Sequence, residues 1–369
     1  MHVGSAESAG GRLGAVLSLP RSGLAVLGPR GPWVATTPAL ARHVLTTPAD
    51  YDFPGDVSRT GDLSASRGES RSGHLLFAPL AEPHVGHGAE RFATEWLAEC
   101  AEHERTAPTA PYDVMRALRR PVALGTTTAV LPRADEARLQ QVAALVLAWV
   151  DALGPVIAAR RPPRRWSRTR RAEERTRLAL EDALGSVPDL EGTPQQAAAM
   201  LAAGVQVPIA AGSWLLAWLA DHPTGDVDPV HAVWESLRLT PPTWLTARVA
   251  TRDCELDGRA VPAGGMVLVS PLLLGRSPDL VPGEEETLPR FDPARWGDAA
   301  RRPGAWLPFG AGPHACPGRT LGLAMLVSLA TWAVEHQLRL DEPVGIDQSR
   351  GIAPIPCSVR VVGRREART

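Results

Sequence analysis

Lysine is absent from this chain, so all 39 basic side chains are arginine, set against 40 acidic ones. That bias reads as codon usage in a GC-rich genome. A formal net charge of -1 leaves no basic excess for a polyanion, which excludes nucleic acid as an expected partner. Cysteine is scarce too. Cys100, Cys254, Cys316 and Cys357 lie far apart with no CxxC pair, which argues against a zinc site and against a disulfide framework, and points to a reducing compartment. The start, "MHVGSAESAGGRLGAVLSLPRSG", lacks a basic segment followed by a sustained apolar core, so no signal peptide or anchor is expected. No repeat of fixed period and no low-complexity linker divides the chain. One domain over residues 1–369 is therefore expected, soluble and cytoplasmic, with no membrane partner. One stretch, Ala197 to Ala220, is apolar enough to suggest a span, but Gln206, Pro208 and Ser213 near its middle favour a buried core helix.

Hydrophobic residues at 44% and charged residues at 21% are ordinary globular proportions. Apolar residues recur at helical spacing in Arg91 to Cys100, Ala134 to Ala152, Thr169 to Leu184, Thr193 to Ala220, Val230 to Leu239 and Thr320 to Leu338. Three β-branched runs, "AVLGPRGPWVAT", "ARVATRDCELDGRAVPAGGMVLVS" and "PCSVRVVG", read as hairpins, the second turning at Asp257 and Gly258. The expected class is mainly α with small sheets. Prolines concentrate in connections, which predicts a long ordered coil before Cys316. Nine arginines fall between Arg160 and Arg177. They read either as a docking patch for an acidic partner, such as a carrier protein, or as a solvated helix face balanced by Glu173 and Glu174.

The chemistry concentrates in "WLPFGAGPHACPGRTLG", residues 306–322. A cysteine binds iron as thiolate, which a helix N-terminus or backbone N–H groups can stabilise. Cys316 stands where coil gives way to helix, with Pro317 suited to the first helical turn and Gly318 sparing a side chain near the sulfur. Gly310 and Gly312 permit a tight, flat coil, and Phe309 can pack beneath a planar group. The order Phe309, Gly310, Gly312, His314, Cys316, Gly318 resembles the heme-thiolate signature of cytochromes P450, F-G-x-G-x-H-x-C-x-G. Upstream, Glu235 and Arg238 in "HAVWESLRLTPPTW" resemble that family's E-x-x-R, and Arg295 of "FDPARW" can complete a buried Glu-Arg-Arg clamp on the cysteine coil.

The resemblance implies the cytochrome P450 fold: a large helical domain with small sheets and heme b (iron protoporphyrin IX) between a central distal helix and the Cys-bearing proximal helix. It implies Cys316 as the iron ligand and only metal ligand, with Arg248 and His314 holding the heme propionates. His74 stands near the place of a further propionate anchor, although the family's W-x-x-x-R lacks its tryptophan here and the register around Arg67 is shifted. Substrate walls would be Ala203, Gly204, Val207, Thr243, Trp244, Leu245 and Ile355. The family's partners would be a small-molecule substrate, a ferredoxin and a ferredoxin reductase.

Two departures stand out. The central helix of the family reads A-G-x-[D/E]-T, whose acid and alcohol relay protons to dioxygen. Here "AAGVQVPIAAG" keeps Ala203 and Gly204 but places Gln206 at the acid and Val207 at the alcohol. Gln206 does not titrate and Val207 has no polar side-chain atom. Pro208 removes one helical N–H and is expected to kink or widen the helix. The second departure is brevity: "TGDVDPVH" stands where the family usually has a longer stretch before E-x-x-R. The expected function is a bacterial-type monooxygenase of secondary metabolism acting on a small or medium natural-product scaffold. The alternatives are peroxide-driven or oxygen-independent heme-thiolate chemistry (peroxygenase, isomerase, cyclase or dehydratase) and a non-catalytic heme-binding or partner-recruiting protein.

Overall fold

The computed structural model describes residues 2–28, 31–53, 77–159, 161, 163–164, 166–222, 227–349 and 351–364. Helices follow in the order α1 (Gly11–Leu17), α2 (Pro38–Thr46), α3 (Glu82–Thr106), α4 (Val114–Ala117), α5 (Arg119–Val130), α6 (Glu136–Ala158), α7 (Arg168–Gly185), α8 (Pro194–Asp221), α9 (Pro229–Leu239), α10 (Pro271–Leu274) and α11 (Arg319–Glu335). Strands are β1 (Leu24–Val26), β2 (Trp33–Ala35), β3 (Tyr51–Asp52), β4 (Tyr112–Asp113), β5 (Thr246–Ala250), β6 (Cys254–Leu256), β7 (Arg259–Val261), β8 (Met266–Val269), β9 (His336–Leu340), β10 (Gly345–Asp347), β11 (Ala353–Ile355) and β12 (Ser358–Arg364).

The chain divides into two compact units, one of Met1–Gly4, Pro79–Val233 and Pro317–Thr369, the other of Ser5–Ala78 and Trp234–Cys316. Each is assembled from separated stretches, so no shift in composition along the chain marks the division. The first unit is the helical one. Its long helix α8 starts at a capping box, in which the Thr193 hydroxyl accepts from the Gln196 amide while the Gln196 side chain accepts from the Thr193 N–H. It is buried along most of its length and packs against α5, α6, α7 and α11. The same unit carries the sheet β4-β12-β9 and the pair β10-β11. Among the described residues both α8 and α6 are long and apolar enough to cross a membrane by length and composition, α6 being one that hydrophobic-run reading passes over. Side chains of neighbouring helices cover most of α8, so its apolarity serves packing within this unit.

The second unit is built on a five-stranded sheet, β1-β2-β8-β5-β3, in which only β2 and β8 run parallel. Its core joins Val34-adjacent Ala35 and Val267, Val269 of the sheet to Val44 and Leu45 of α2 and to Trp296, Trp306 and Leu307 of the later coil. β6 and β7 form the expected hairpin, with Asp257 and Gly258 at φ 54° and 70°, the left-handed pair a two-residue turn needs.

Three local expectations change. The last periodic helix stops at Glu335, and 336–340 pairs as β9 with β12, because the alternating His336-Gln337-Leu338-Arg339-Leu340 suits an edge better than a further helical turn. "PCSVRVVG" forms no hairpin of its own; its strand β12 lies between β9 and β4. Pro317 precedes α11 rather than entering it, since the N-cap is Gly318. Helix α5, "RRPVALGTTTAV", goes unseen in the sequence because Pro, Gly and three threonines mask its period, yet it is buried without a break from Pro121 to Thr127.

Candidate functional site

The Glu-Arg-Arg cluster is present in the second unit. Glu235, Arg238 and Arg295 are buried, at 0%, 0% and 7% exposure. Both carboxylate oxygens of Glu235 are saturated. Oε1 accepts from Arg238 Nη2 at 2.6 Å, Arg295 Nε at 2.9 Å and the Asp292 amide at 3.0 Å; Oε2 accepts from Arg238 Nε at 2.8 Å and Trp296 Nε1 at 3.0 Å. Burial alone would raise the Glu235 pKa, but the guanidinium of Arg238 and then that of Arg295 overcome it and hold the carboxyl below its usual range.

The remaining arginine donors reach backbone carbonyls. Arg238 serves Gly275 and Arg290, and Arg295 serves Pro282, Thr287 and Arg290. The triad therefore fixes the coil from 275 to 297 directly. It reaches the cysteine loop through a chain of rings that the sequence reading missed: Trp296 lies tilted 5.1 Å from Trp306, Trp306 meets Trp234 edge-on at 5.9 Å, and Trp234 meets Phe309 edge-on at 6.3 Å. Aromatic residues beside F-D-P-A-R and before F-G-x-G were the available signal. Arg276, also missed, is buried and donates to the carbonyls of Arg238 and Leu239 and to Glu7, tying the N-terminal stretch to α9.

The cysteine loop is closed by its own backbone. The Gly310 amide donates to Leu307 O at 3.0 Å, Ala315 to Gly312 O at 3.0 Å, and Cys316 to Phe309 O at 2.9 Å. Gly310 and Gly312 adopt φ of 70° and 71°, which side chains rarely tolerate, and a Cβ on Gly312 would stand 2.5 Å from Leu45 O in α2. Gly318 differs: its φ is ordinary and a Cβ there would meet no protein atom within 4 Å, so the protein's own packing does not demand glycine. Cys316 is exposed at the end of this loop, three residues ahead of α11.

Beside the loop, Arg248, Phe53 and His314 come together from three parts of the chain. Arg248, on β5, is 3% exposed and among the described residues donates to neutral oxygens, Thr246 Oγ1 at 3.1 Å and Ala247 O at 2.9 Å. Its Cζ lies 3.7 Å from the Phe53 ring centroid, and Phe53 meets the His314 ring edge-on at 4.7 Å. Burial pushes the Arg248 pKa down to about 10 against the opposing pull of Asp52, and among the described residues no carboxylate stands within ion-pair distance of it. His314 is held below its usual value, first by burial and then by Arg248. A buried guanidinium and an imidazole that share a desolvated corner fit a ligand bringing carboxylates, and the exposed sulfur at the end of a tightly turned loop fits a soft metal held nearby. The residues present fit a heme. His74 lies outside the described residues.

On α8, in the first unit, Ala203 and Val207 are exposed while Gly204 and Gln206 are partly so, a short accessible stripe on an otherwise buried helix. Pro208 has no N–H for the Gly204 carbonyl one turn back, and Thr126 of α5 supplies the missing donor, its Oγ1 lying 2.9 Å from Gly204 O. Gly204 is small for this contact: a Cβ would stand 2.7 Å from Thr126 Cγ2. Thr126→Val is expected to cost about 1–3 kcal/mol in urea unfolding, because it strands that carbonyl. In a Pro208→Ala background, where an N–H is restored, the cost should shrink, and an unchanged cost would refute the account. Ile355, at 58% exposure, lies on β11, which packs against α8. Of the run after α9, Thr243 is exposed and Leu245 half-buried, while Trp244 is buried and accepts at its carbonyl from Ser270 Oγ.

The family model described as Cytochrome P450 matches residues 230–340. Cyclooctat-9-en-7-ol 5-monooxygenase of Streptomyces melanosporofaciens is 48% identical over 111 residues, 29% of this chain and 23% of that protein. Cyclooctatin synthase of the same organism is 38% identical over 109 residues, 29% and 23% of the two chains. Thromboxane-A synthase of Mus musculus is 39% identical over 110 residues, 29% and 20%. The matched stretch thus spans less than a quarter of each relative's length. Over the whole fold, the hydroxylase HmtN aligns with a TM-score of 0.68 at 18% identity, covering 93% of this chain and 94% of that one. A cytochrome P450DA mutant heme domain aligns at 0.67, also at 18% identity, covering 93% and 90%.

Proposed function

Because the chain belongs to the cytochrome P450 superfamily, with heme b as its cofactor, we propose that it is a heme-thiolate monooxygenase of a small or medium natural-product scaffold. The observation that carries this reading is the placement, in one unit, of the exposed Cys316 at the end of its glycine-turned loop beside the buried Arg248 and the half-buried His314. Cys316 would ligate the metal as thiolate. Arg248, buried without a carboxylate of its own among the described residues, would take one propionate, and His314 would donate to it or to its neighbour. When bound, heme supplies the oxidising power toward C–H bonds. The clamp of Glu235, Arg238 and Arg295 keeps the coil leading to the loop in place, and its role is structural.

The accessible residues of α8 orient and enclose a substrate rather than move protons. Ala203 gives room and Val207 offers an apolar wall, while Gly204 is small for its contact with Thr126 of α5. Gln206 donates and accepts hydrogen bonds without titrating. A positioned acid or base typically contributes 10²- to 10⁴-fold, so protons must come from a hydroxyl or amine of the substrate or from ordered water. Val207→Thr restores an alcohol and is expected to raise oxygen consumption at fixed reductant. No change in coupled or uncoupled consumption would show that proton delivery is not limiting.

Gln206 and Val207 also support a second reading, peroxide-driven or oxygen-independent chemistry on the same thiolate heme. Turnover with ferredoxin, ferredoxin reductase and NADPH is expected for the first reading. Turnover with hydrogen peroxide alone, or product under strict anaerobiosis, would replace it. A ferrous carbon monoxide complex without the red-shifted Soret band would remove both. Electron supply by a separate ferredoxin, a cytoplasmic setting and a role in secondary metabolism complete the proposal, and the Streptomyces relatives support its bacterial setting.

A further inference from the structure

The arginine-rich stretch around α7 is neither a uniformly solvated face nor absorbed by the proposed chemistry. Two of its arginines turn inward. Arg170 and Arg177 flank Glu173, whose side chain is fully buried and accepts from Trp149 Nε1 at 3.1 Å. Glu173 therefore does not offset the outward charge. Arg161, Arg164, Arg168, Arg171 and Arg175 are exposed, and among the described residues none of the five makes an ion pair. Elsewhere on the molecule some arginines pair, as Arg91 with Glu95 and Glu136, Arg105 with Glu102, and Arg119 with Asp151, while others such as Arg42, Arg116, Arg259 and Arg302 make no ion pair among the described residues; what sets this stretch apart is that its unpaired arginines are gathered together. Between 161 and 178 the only exposed acid is Glu174. In a chain of net charge -1, this is a local cationic excess.

Its geometry is specific. Arg168, Arg171, Arg175 and Leu178 follow at i, i+3, i+7 and i+10, so they share one exposed stripe of α7. At the stripe's start, Trp166 is 73% exposed and carries the Arg171 guanidinium 5.9 Å from its ring centroid. Leu178 is 51% exposed at the other end. A row of cations on one helix, closed at each end by an apolar side chain, complements a partner helix with carboxylates at the same spacing. An anionic membrane fits less well. A helix lying in a lipid interface needs a free apolar face, and that of α7, formed by Leu180, Ala183 and Leu184, is already buried in its own unit.

The geometry points to a docking site for an acidic protein, one that presents a helix with carboxylates at i, i+3 and i+7 to Arg168, Arg171 and Arg175 and seats an apolar residue against Trp166. This site is independent of the heme chemistry. It is tested on the full chain by fluorescence anisotropy with a labelled helical peptide bearing glutamates at those positions, and with a peptide of equal composition whose glutamates are spread around the helix. The patterned peptide is expected to bind at least about tenfold more tightly than the spread one, and to lose about tenfold or more between 0.02 M and 0.5 M salt. The triple variant Arg168→Glu, Arg171→Glu, Arg175→Glu is expected to abolish binding while leaving the far-ultraviolet dichroism unchanged. Trp166→Ala alone, which cannot unfold an exposed position, should weaken it severalfold. Equal binding of the two peptides, or wild-type binding by the triple variant, overturns the proposal. So does capture of the protein by phosphatidylglycerol vesicles with no binding of the patterned peptide.

Discussion

Replacing Cys316 with alanine is expected to remove the red-shifted Soret band of the ferrous carbon monoxide complex entirely and to reduce turnover to background. The fold should be left intact. The sulfur is exposed, and the loop that carries it is closed by backbone bonds from Gly310, Ala315 and Cys316, none of which uses the side chain. A surface change of this kind shifts stability by about 0.5 kcal/mol or less, so the apoprotein should unfold at the same urea concentration as the wild type. Axial-ligand identity, by contrast, is one of the main levers on heme electronics. Cys316→Ser tests the same point with an oxygen in place of sulfur. An alanine protein that keeps the shifted band would show that another group holds the iron, and the reading of this loop would fall.

The second large effect is expected at Glu235. Glu235→Ala leaves the guanidinium groups of Arg238 and Arg295 buried without their counter-charge. Breaking such a cluster costs about 3–5 kcal/mol, a large part of the roughly 5–15 kcal/mol that holds a domain together. Glu235→Gln should be nearly as harmful. Its amide NH₂ would face the N–H donors of Arg238 or Trp296 where an acceptor is needed. Arg238→Lys should also fail to restore stability, because a single ammonium cannot match the two parallel bonds to Oε1 and Oε2. The measurement is urea unfolding followed by the fluorescence of Trp234, Trp296 and Trp306, which lie against the cluster.

The same carboxylate predicts a pH dependence. Since the folded state holds Glu235 below the usual carboxylate pKa, the unfolded chain binds the proton more readily. The stabilisation is therefore complete above the ordinary carboxylate pKa of about 4.3 and drains away as pH falls through the lower folded value. Wild-type protein should show this acid-driven loss. Glu235→Gln should lack that component, and an identical acid profile in both would separate the cluster from the acid transition.

Much of the site was legible because its logic is local. Phe309 through Gly318 lie within one short loop, and positive φ at Gly310 and Gly312 is the reason glycine stands there. Glu235 and Arg238 face each other because they are three apart on one helix. The contacts among the aromatic rings were not legible: the residues stand beside recognisable motifs, but nothing in the spacing of Trp234, Trp296 and Trp306 says that a coil of irregular turns brings them together. Thr126 is a similar case. A threonine in a Pro- and Gly-containing run carries no sign that its hydroxyl replaces the amide that Pro208 lacks, because the partner lies on another helix. Glu173, read as a surface balance to the arginines, is fully buried, a fact set by which side of α7 meets Trp149.

By itself, then, the sequence determined the helical class, the cysteine loop, the Glu-Arg pair and the absence of an acid and an alcohol at Gln206 and Val207, because each depends on residues within a few positions of one another. Only the tertiary structure decided that Arg248 is buried beside Phe53 and His314, that Thr126 supplies the donor Pro208 lacks, and which arginines of α7 face outward. Those outcomes depend on long-range packing, where desolvation gives a charge its meaning and no local pattern records which distant side chain will remove the water.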